Sequence, residues 1–234
     1  MRITRNDFDS NIFGKSIGKC KVDSEDPQVS DATAKRILED GGWDMLSIES
    51  SAKQTHLSGF FVGELVKLRG SASDMQSRLS EVQSRHNIEN LGAGDWEEVQ
   101  RLQEFASPTR FSSDSKLASE RVLEHKLKML KVYQRAEPEL CLKVQVGSML
   151  RGFQVCARQN DTLLLYEILI DPILGGPFCA VDLIRAALRR AEGRSPDCKN
   201  VCTKIYSNNN RSMAFFKKIG MRAMASKNFY HIWR

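Results

Sequence analysis

The segment from Leu163 to Leu183 reads LLLYEILIDPILGGPFCAVDL. An apolar strand pattern runs into an Asp-Pro turn, then a glycine pair, then a helical stripe. Backbone N–H groups at the start of a helix have no partner inside it, and the helix dipole favours negative charge there, so this layout suits a phosphate. Glu167, on the strand, is a candidate base. A second stretch, Tyr206 to Arg222, reads YSNNNRSMAFFKKIGMR. Its asparagines suit a helix cap, and the helix after them carries the Lys217-Lys218 pair toward Gly220. Tyr206 and Tyr230 are hydroxyls that could give up a proton to a leaving group, or simply pack.

Other elements must hold these groups. Phe13–Val22 reads as a strand, 31–39 as a short helix capped by Asp31, and 43–49 as a half-buried strand. A short helix over 55–61 and a strand over 61–68 follow. Residues 70–87, GSASDMQSRLSEVQSRHN, are serine-rich and read as a boundary, although Met75, Leu79 and Val82 share one helix face. The pattern then restarts with a strand at 88–91, a helix over 95–105 and a loop, SPTRFSSDSKL. A long helix over 118–135 follows, with strands over 140–146, 150–157 and 162–170. Helices over 180–192 and 212–219 and strands over 201–206 and 228–233 complete the chain. This alternation predicts an α/β protein with a mixed sheet flanked by helices.

Two blocks carry a family resemblance. LIDPILGGPFCAVDLI has the rhythm of strand, Asp-Pro, pyrophosphate loop and apolar helix. NNRSMAFFKKIGM has Asn209, the small Ser212, the aromatic Phe216 and Gly220 in matching order. Together they resemble the GNAT superfamily of N-acyltransferases, which take an acyl group from acetyl-CoA or another acyl-CoA. The opening FDSNIFGKSIG, LSGFFVGELVKL, PTRFSSDSKL and FYHIW are similar to the TDP-fucosamine acetyltransferase group, whose acceptors are nucleotide-linked amino sugars. The resemblance implies a GNAT fold, mostly antiparallel, with a partial GNAT-like unit over 1–70, a linker over 71–87 and an acyltransferase unit over 88–234.

It also implies a site. The acyl-CoA arm would lie along the strand at Ile168 and Ile170. Its phosphates would meet Gly175, Gly176, Phe178, Cys179 and Ala180, with Asn209 and Phe216 contributing from the later helix. Arg110 and Phe111 would face a small-molecule amine, a nucleotide-linked amino sugar in the narrower resemblance. Two departures stand out. Pro177 has no N–H, and Phe178 replaces a glycine where backbone normally approaches the ligand. The position that commonly holds a proton-donating tyrosine is Phe216. These departures keep open the alternative of a degenerate GNAT scaffold that binds a ligand or partner without catalysis.

Composition narrows the classes further. The chain of 234 residues is 41% hydrophobic, which is enough for a real core. No apolar run approaches the roughly 20 residues a bilayer span needs, and the N-terminal stretch lacks an apolar signal core. Six cysteines have no zinc-like spacing and read as reduced thiols of a cytoplasmic protein. The net charge of +6 is uneven, with eight Lys or Arg and no acidic residue from Cys198 to Arg234. That field attracts anions, but no aromatic-rich motif points to nucleic acid. A homodimer is left open.

Overall fold

The computed structural model describes residues 2–23, 29–54, 57, 60–195 and 197–234. In chain order the elements are β1 (Arg2–Arg5), α1 (Asp7–Phe13), β2 (Ile17–Val22), α2 (Asp31–Asp40), β3 (Met45–Ser50), β4 (Phe60–Ser71), α3 (Ala72–Ser80) and β5 (Ile88–Asn90). They continue with α4 (Trp96–Leu102), α5 (Ser119–Ala136), β6 (Leu142–Val146), β7 (Met149–Gln159), β8 (Thr162–Ile170), α6 (Pro177–Arg194), β9 (Asn200–Tyr206), α7 (Asn210–Lys218) and β10 (Arg222–Trp233). The ten strands form one sheet in the order β1-β2-β3-β10-β4-β9-β8-β7-β6-β5. Only β2–β3 and β8–β9 pair in parallel. This is the mixed sheet flanked by helices that the alternation predicts, and it is mostly antiparallel, as the resemblance implies.

Several elements depart in detail. The strand expected over 13–22 is β2, Ile17–Val22, and starts later than expected because Phe13 ends helix α1. Asn6 caps that helix through its side chain, and Gly14 ends it at φ 62°. The helix expected over 55–61 falls mostly outside the described residues, and Phe60 and Phe61 begin β4. The serine-rich segment 71–87 contains α3. Ser71 accepts a hydrogen bond from the Asp74 amide at 3.3 Å, so serine here starts a helix. Met75 and Leu79, four residues apart, are fully buried against the cluster that includes Leu183, Ala187 and Val201. Burying two such side chains contributes roughly 1.5 to 3 kcal/mol each.

β4 has a structural consequence. It lies between β9 and β10, pairing Leu65–Ser71 with Tyr206–Asn200 on one side and Phe60–Arg69 with His231–Arg222 on the other. The first seventy residues therefore donate a central strand to the sheet that carries the later motifs. Among the described residues, no helix is long and apolar enough to cross a membrane, and no acidic, His or Cys group is arranged to hold a metal ion.

Candidate functional site

The Asp-Pro turn after β8 is rigidly fastened. Asp171 is 2% exposed. Its Oδ1 accepts the amides of Ile173 and Leu174, both at 2.9 Å, and its Oδ2 meets Arg101 Nη1 at 3.2 Å. Burial pushes this carboxyl up, but the two amides and the Arg101 guanidinium together outweigh it and hold it below the ordinary range. The Gly175 amide closes the turn onto the Asp171 carbonyl at 2.9 Å. Gly175 is packed so closely that a Cβ would meet the Arg151 and Asp171 carbonyl oxygens at 2.7 and 2.8 Å, and Ile170 Cγ2 as well. Gly176, at φ 70°, turns the chain into α6 without any side-chain cap. The amides of Phe178 and Cys179 then lie in the first turn, where no helical carbonyl can accept them. Pro177 begins the helix without an N–H.

Strands β8 and β9 run side by side only over Thr162–Leu165 and Asn200–Thr203. Beyond Leu165 they part, although β8 continues to Ile170 and β9 to Tyr206. A bulge occurs just there, since Val155 pairs with Glu167 and Cys156 with Leu165, leaving Tyr166 as the extra residue. The bulge reverses the alternation. The Asp171 amide donates to Arg151 on β7 at 2.8 Å, so by period two the main-chain groups of Leu169 and Glu167 also face β7. Those of Ile168 and Ile170 face the gap toward β9. Continuing the register of the parallel pair would set Tyr206 opposite Ile168.

A groove of about 720 Å³ lies between α4, the loop over 106–118 and α5, lined in part by Gln103, Glu104, Ser107, Thr109, Leu123 and Lys126. The loop is pinned from several elements. The Arg110 amide donates to the Tyr206 hydroxyl at 2.7 Å, and Asn209 Nδ2 donates to Ser107 Oγ at 2.7 Å. Asp114, 3% exposed, accepts from His231 Nδ1 at 2.6 Å, Trp233 Nε1 at 3.0 Å and the Lys116 amide at 3.0 Å. Arg110 also reaches Asp9 of α1, at 3.4 Å, and Asp9 in turn holds His125 at 2.7 Å.

The candidate residues separate into groups. Ile168, Ile170, Gly175, Gly176, Phe178, Cys179 and Ala180 come together at the gap and the α6 start. Cys179 is buried, and its thiol donates to the Gly175 carbonyl at 2.7 Å. Burial pushes it up to about 11, which suits packing rather than nucleophilic attack. The Phe178 ring carries the Arg85 guanidinium 3.8 Å from its centroid. Asn209 caps α7, accepting the Ser212 amide at 3.1 Å. Phe216, 6% exposed, packs in the core cluster against which Ile168 and Ile170 lie. Glu167 is paired with Lys126 of α5 at 2.9 Å. Burial pushes the Tyr206 hydroxyl up, against the opposing effect of Arg110, so it stays protonated. Tyr230 lies elsewhere: 2% exposed, it accepts the Gln54 amide at 2.8 Å and packs in the cluster that includes Ala34 and Leu38 of α2. Arg110 stacks on Phe111, 4.4 Å from its centroid, and Phe111 is buried.

Arg101, Gln103, Asp114 and His231 escaped the sequence reading. Arg101 lies in the predicted helix, but its partner Asp171 is 70 residues away. Asp114 and His231 are 117 residues apart and meet through β10. No local pattern announces such pairs.

No family model matches the sequence, and no curated protein matches it. The fold does have solved neighbours. A functionally unknown conserved protein from Staphylococcus epidermidis superposes with a TM-score of 0.62 at 11% identity, over 93% of this chain and 84% of that one. A tandem GNAT protein from the clavulanic acid biosynthesis pathway gives 0.58 at 11% identity, over 86% and 68%. A putative GNAT acetyltransferase from Novosphingobium aromaticivorans gives 0.51 at 14% identity, over 80% and 73%. At these identities the likeness is one of fold, and the fold is that of the GNAT acetyltransferases.

Proposed function

We propose that this protein is an N-acyltransferase that moves an acyl group, acetyl in the simplest case, from an acyl-CoA to the amino group of a small molecule. One observation carries the reading: the free main-chain edge of β8 at Ile168 and Ile170, opposite splayed β9, leads directly into the uncapped first turn of α6. An extended amide-bearing arm can add to that edge as a strand would, and a phosphate can sit on the Phe178 and Cys179 amides. The residues present therefore fit an acyl-CoA, with one amide fewer than a loop lacking Pro177. The bound acyl-CoA supplies an activated thioester whose carbonyl an amine can attack.

The chain's own groups do the rest. A main-chain amide at Ile168 or Ile170 is placed to polarise a carbonyl in the gap, and preorganised donors of this kind contribute about 3 to 4 kcal/mol in related sites. Tyr206, across the gap, accepts the Arg110 amide and keeps its own proton to give. Glu167 holds Lys126 beside the groove, positioning α5. Tyr206→Phe is expected to lower kcat by about 10²-fold or more if the hydroxyl acts as the acid. An unchanged kcat would make it a loop anchor only.

A nucleotide-linked amino sugar is the acceptor that the narrower resemblance alone implies; the exposed Glu97 and Glu104 at the groove argue against its diphosphate. A non-catalytic scaffold is the second reading, favoured by Pro177 and by Phe216 lying in the core without a hydroxyl. Calorimetry with acetyl-CoA and a longer acyl-CoA, followed by thiol release with a panel of amines, separates them. Binding with thiol release supports transfer. Binding without release for any amine supports the scaffold, and no binding at about 1 mM ends both as acyl-CoA readings. Pro177→Ala restores an N–H to the first turn and is expected to tighten acyl-CoA binding about 2- to 5-fold.

A further inference from the structure

Gln103 follows α4 in a 3-10 turn and lines the groove, yet it is 8% exposed, and among the described residues neither its amide oxygen nor its amide nitrogen has a hydrogen-bond partner. A carboxamide that is buried and unpaired on both atoms is poorly served in the empty protein. A turn about its side-chain bonds would bring a donor and an acceptor together into the groove. Several of the surrounding polar groups are already engaged, while Gln100, Ser115 and Ser119 are exposed to solvent. Ser107 is held by Asn209, Thr109 and Ser112 bond each other, and Asp114 is held by His231 and Trp233. The charges divide in the same way. Arg101 is committed to Asp171 and Glu98, and Lys126 to Glu167. Glu97 and Glu104, both exposed at the groove, have no recorded ion pair among the described residues. The uncommitted charge facing the groove is therefore negative, while Leu117, Val122 and Leu123 supply an apolar side.

We infer that Gln103 reads the acceptor: it pairs with a polar group of the amine substrate that both donates and accepts, an amide or a hydroxyl, while the exposed Glu97 and Glu104 attract the ammonium form, which gives its extra proton to water before the neutral amine attacks. The acceptor class is thus a phosphate-free polar amine, because a diphosphate would approach two free carboxylates and no free cation. This rests on the acyl-transfer reading for its reaction but not for its binding.

The test uses the full chain and four probes: glycinamide, propylamine, glucosamine and a nucleotide-diphosphate amino sugar. Each is titrated by NMR without acyl-CoA and then assayed by thiol release with acetyl-CoA. Glycinamide or glucosamine is expected to bind about 10-fold more tightly than propylamine, and above the nucleotide-linked sugar. Which of the two leads distinguishes an amide from a hydroxyl. Gln103→Met, of similar volume, is expected to erase that preference, leave propylamine and acetyl-CoA binding unchanged, and raise the melting temperature by about 2 to 4 °C. A purely structural Gln103 would leave selectivity untouched, and that result overturns the inference. So does tighter binding of the nucleotide-linked sugar, or no preference in the unsubstituted protein. Gln103-dependent amine binding with no acetyl-CoA binding would sink the acyl-transfer reading and leave the groove assignment standing.

Discussion

Asp114→Ala is expected to destabilise the protein by about 3 kcal/mol or more and to loosen the groove. The carboxylate lies within a shell of three donors: the His231 ring, the Trp233 indole and the Lys116 amide. Removing it strands the buried His231 N–H and the half-buried Trp233 N–H at once, and an unsatisfied buried donor costs about 1 to 3 kcal/mol. The loss extends beyond stability because Asp114 fastens the 106–118 loop to β10. Chemical denaturation should therefore show a lower midpoint at an unchanged slope. If the acyl-transfer reading holds, KM for the amine should rise more than KM for the acyl-CoA. A stability change below about 0.5 kcal/mol would mean that solvent reaches these groups.

The same pair sets a pH dependence. Burial pushes the His231 imidazole down from its ordinary value near 6.5, and Asp114 only partly offsets this. Its Nδ1–H donates to Asp114, and Nε2 is buried without a partner, so charging the ring would bury a second, unanswered N–H. A group depressed in the folded state contributes stability above its unfolded value and loses it as pH falls. Burial pushes the Asp114 carboxyl up, but its three donors outweigh that and hold it low, so its contribution also disappears in acid. Stability is expected to decline as pH drops from 7 to 5, by at most about 1.4 kcal/mol per pH unit from His231, with Asp114 adding below about pH 4.

Gly175→Ala is expected to abolish or weaken acyl-CoA binding by about 10-fold or more while costing about 2 kcal/mol of stability. The new methyl would press on two backbone carbonyls, one from β7 and one from Asp171, and on the Ile170 side chain. Neither carbonyl can yield without opening the β7–β8 ladder or the Asp171 turn, so the α6 start must shift. Gly193→Ala is the control, since a Cβ there meets nothing within 4 Å. In a helix that change is neutral or stabilising. Equal acyl-CoA affinity in Gly175→Ala and the unsubstituted protein would place the donor away from this loop.

Much of the fold was legible locally. The short apolar run of Thr162–Ile170 bounded by turns and the 3.6-period stripe of α6 name their own structures. Less legible was the serine-rich 71–87 segment, which reads as a boundary, although Met75, Leu79 and Val82 offer a helix face that only a neighbouring helix makes useful. The site divides in the same way. Its proposed anion-binding turn is a sequence-local object, built from consecutive amides after Asp171 and Gly175. The groove is not, since Gln103, Asp114 and His231 acquire their roles from elements remote in the chain.

By itself the sequence determined most of the elements after α1, their order and the turn at Asp171, since these follow from propensity, periodicity and the absence of side chains at glycine. Tertiary structure alone decided three things. It placed strand 60–71 within the sheet of the later motifs and parted β8 from β9 after Leu165. It also stranded an amide at Gln103 beneath a groove. Each depends on which distant backbone or side chain competes for a hydrogen bond, and that competition has no local signature.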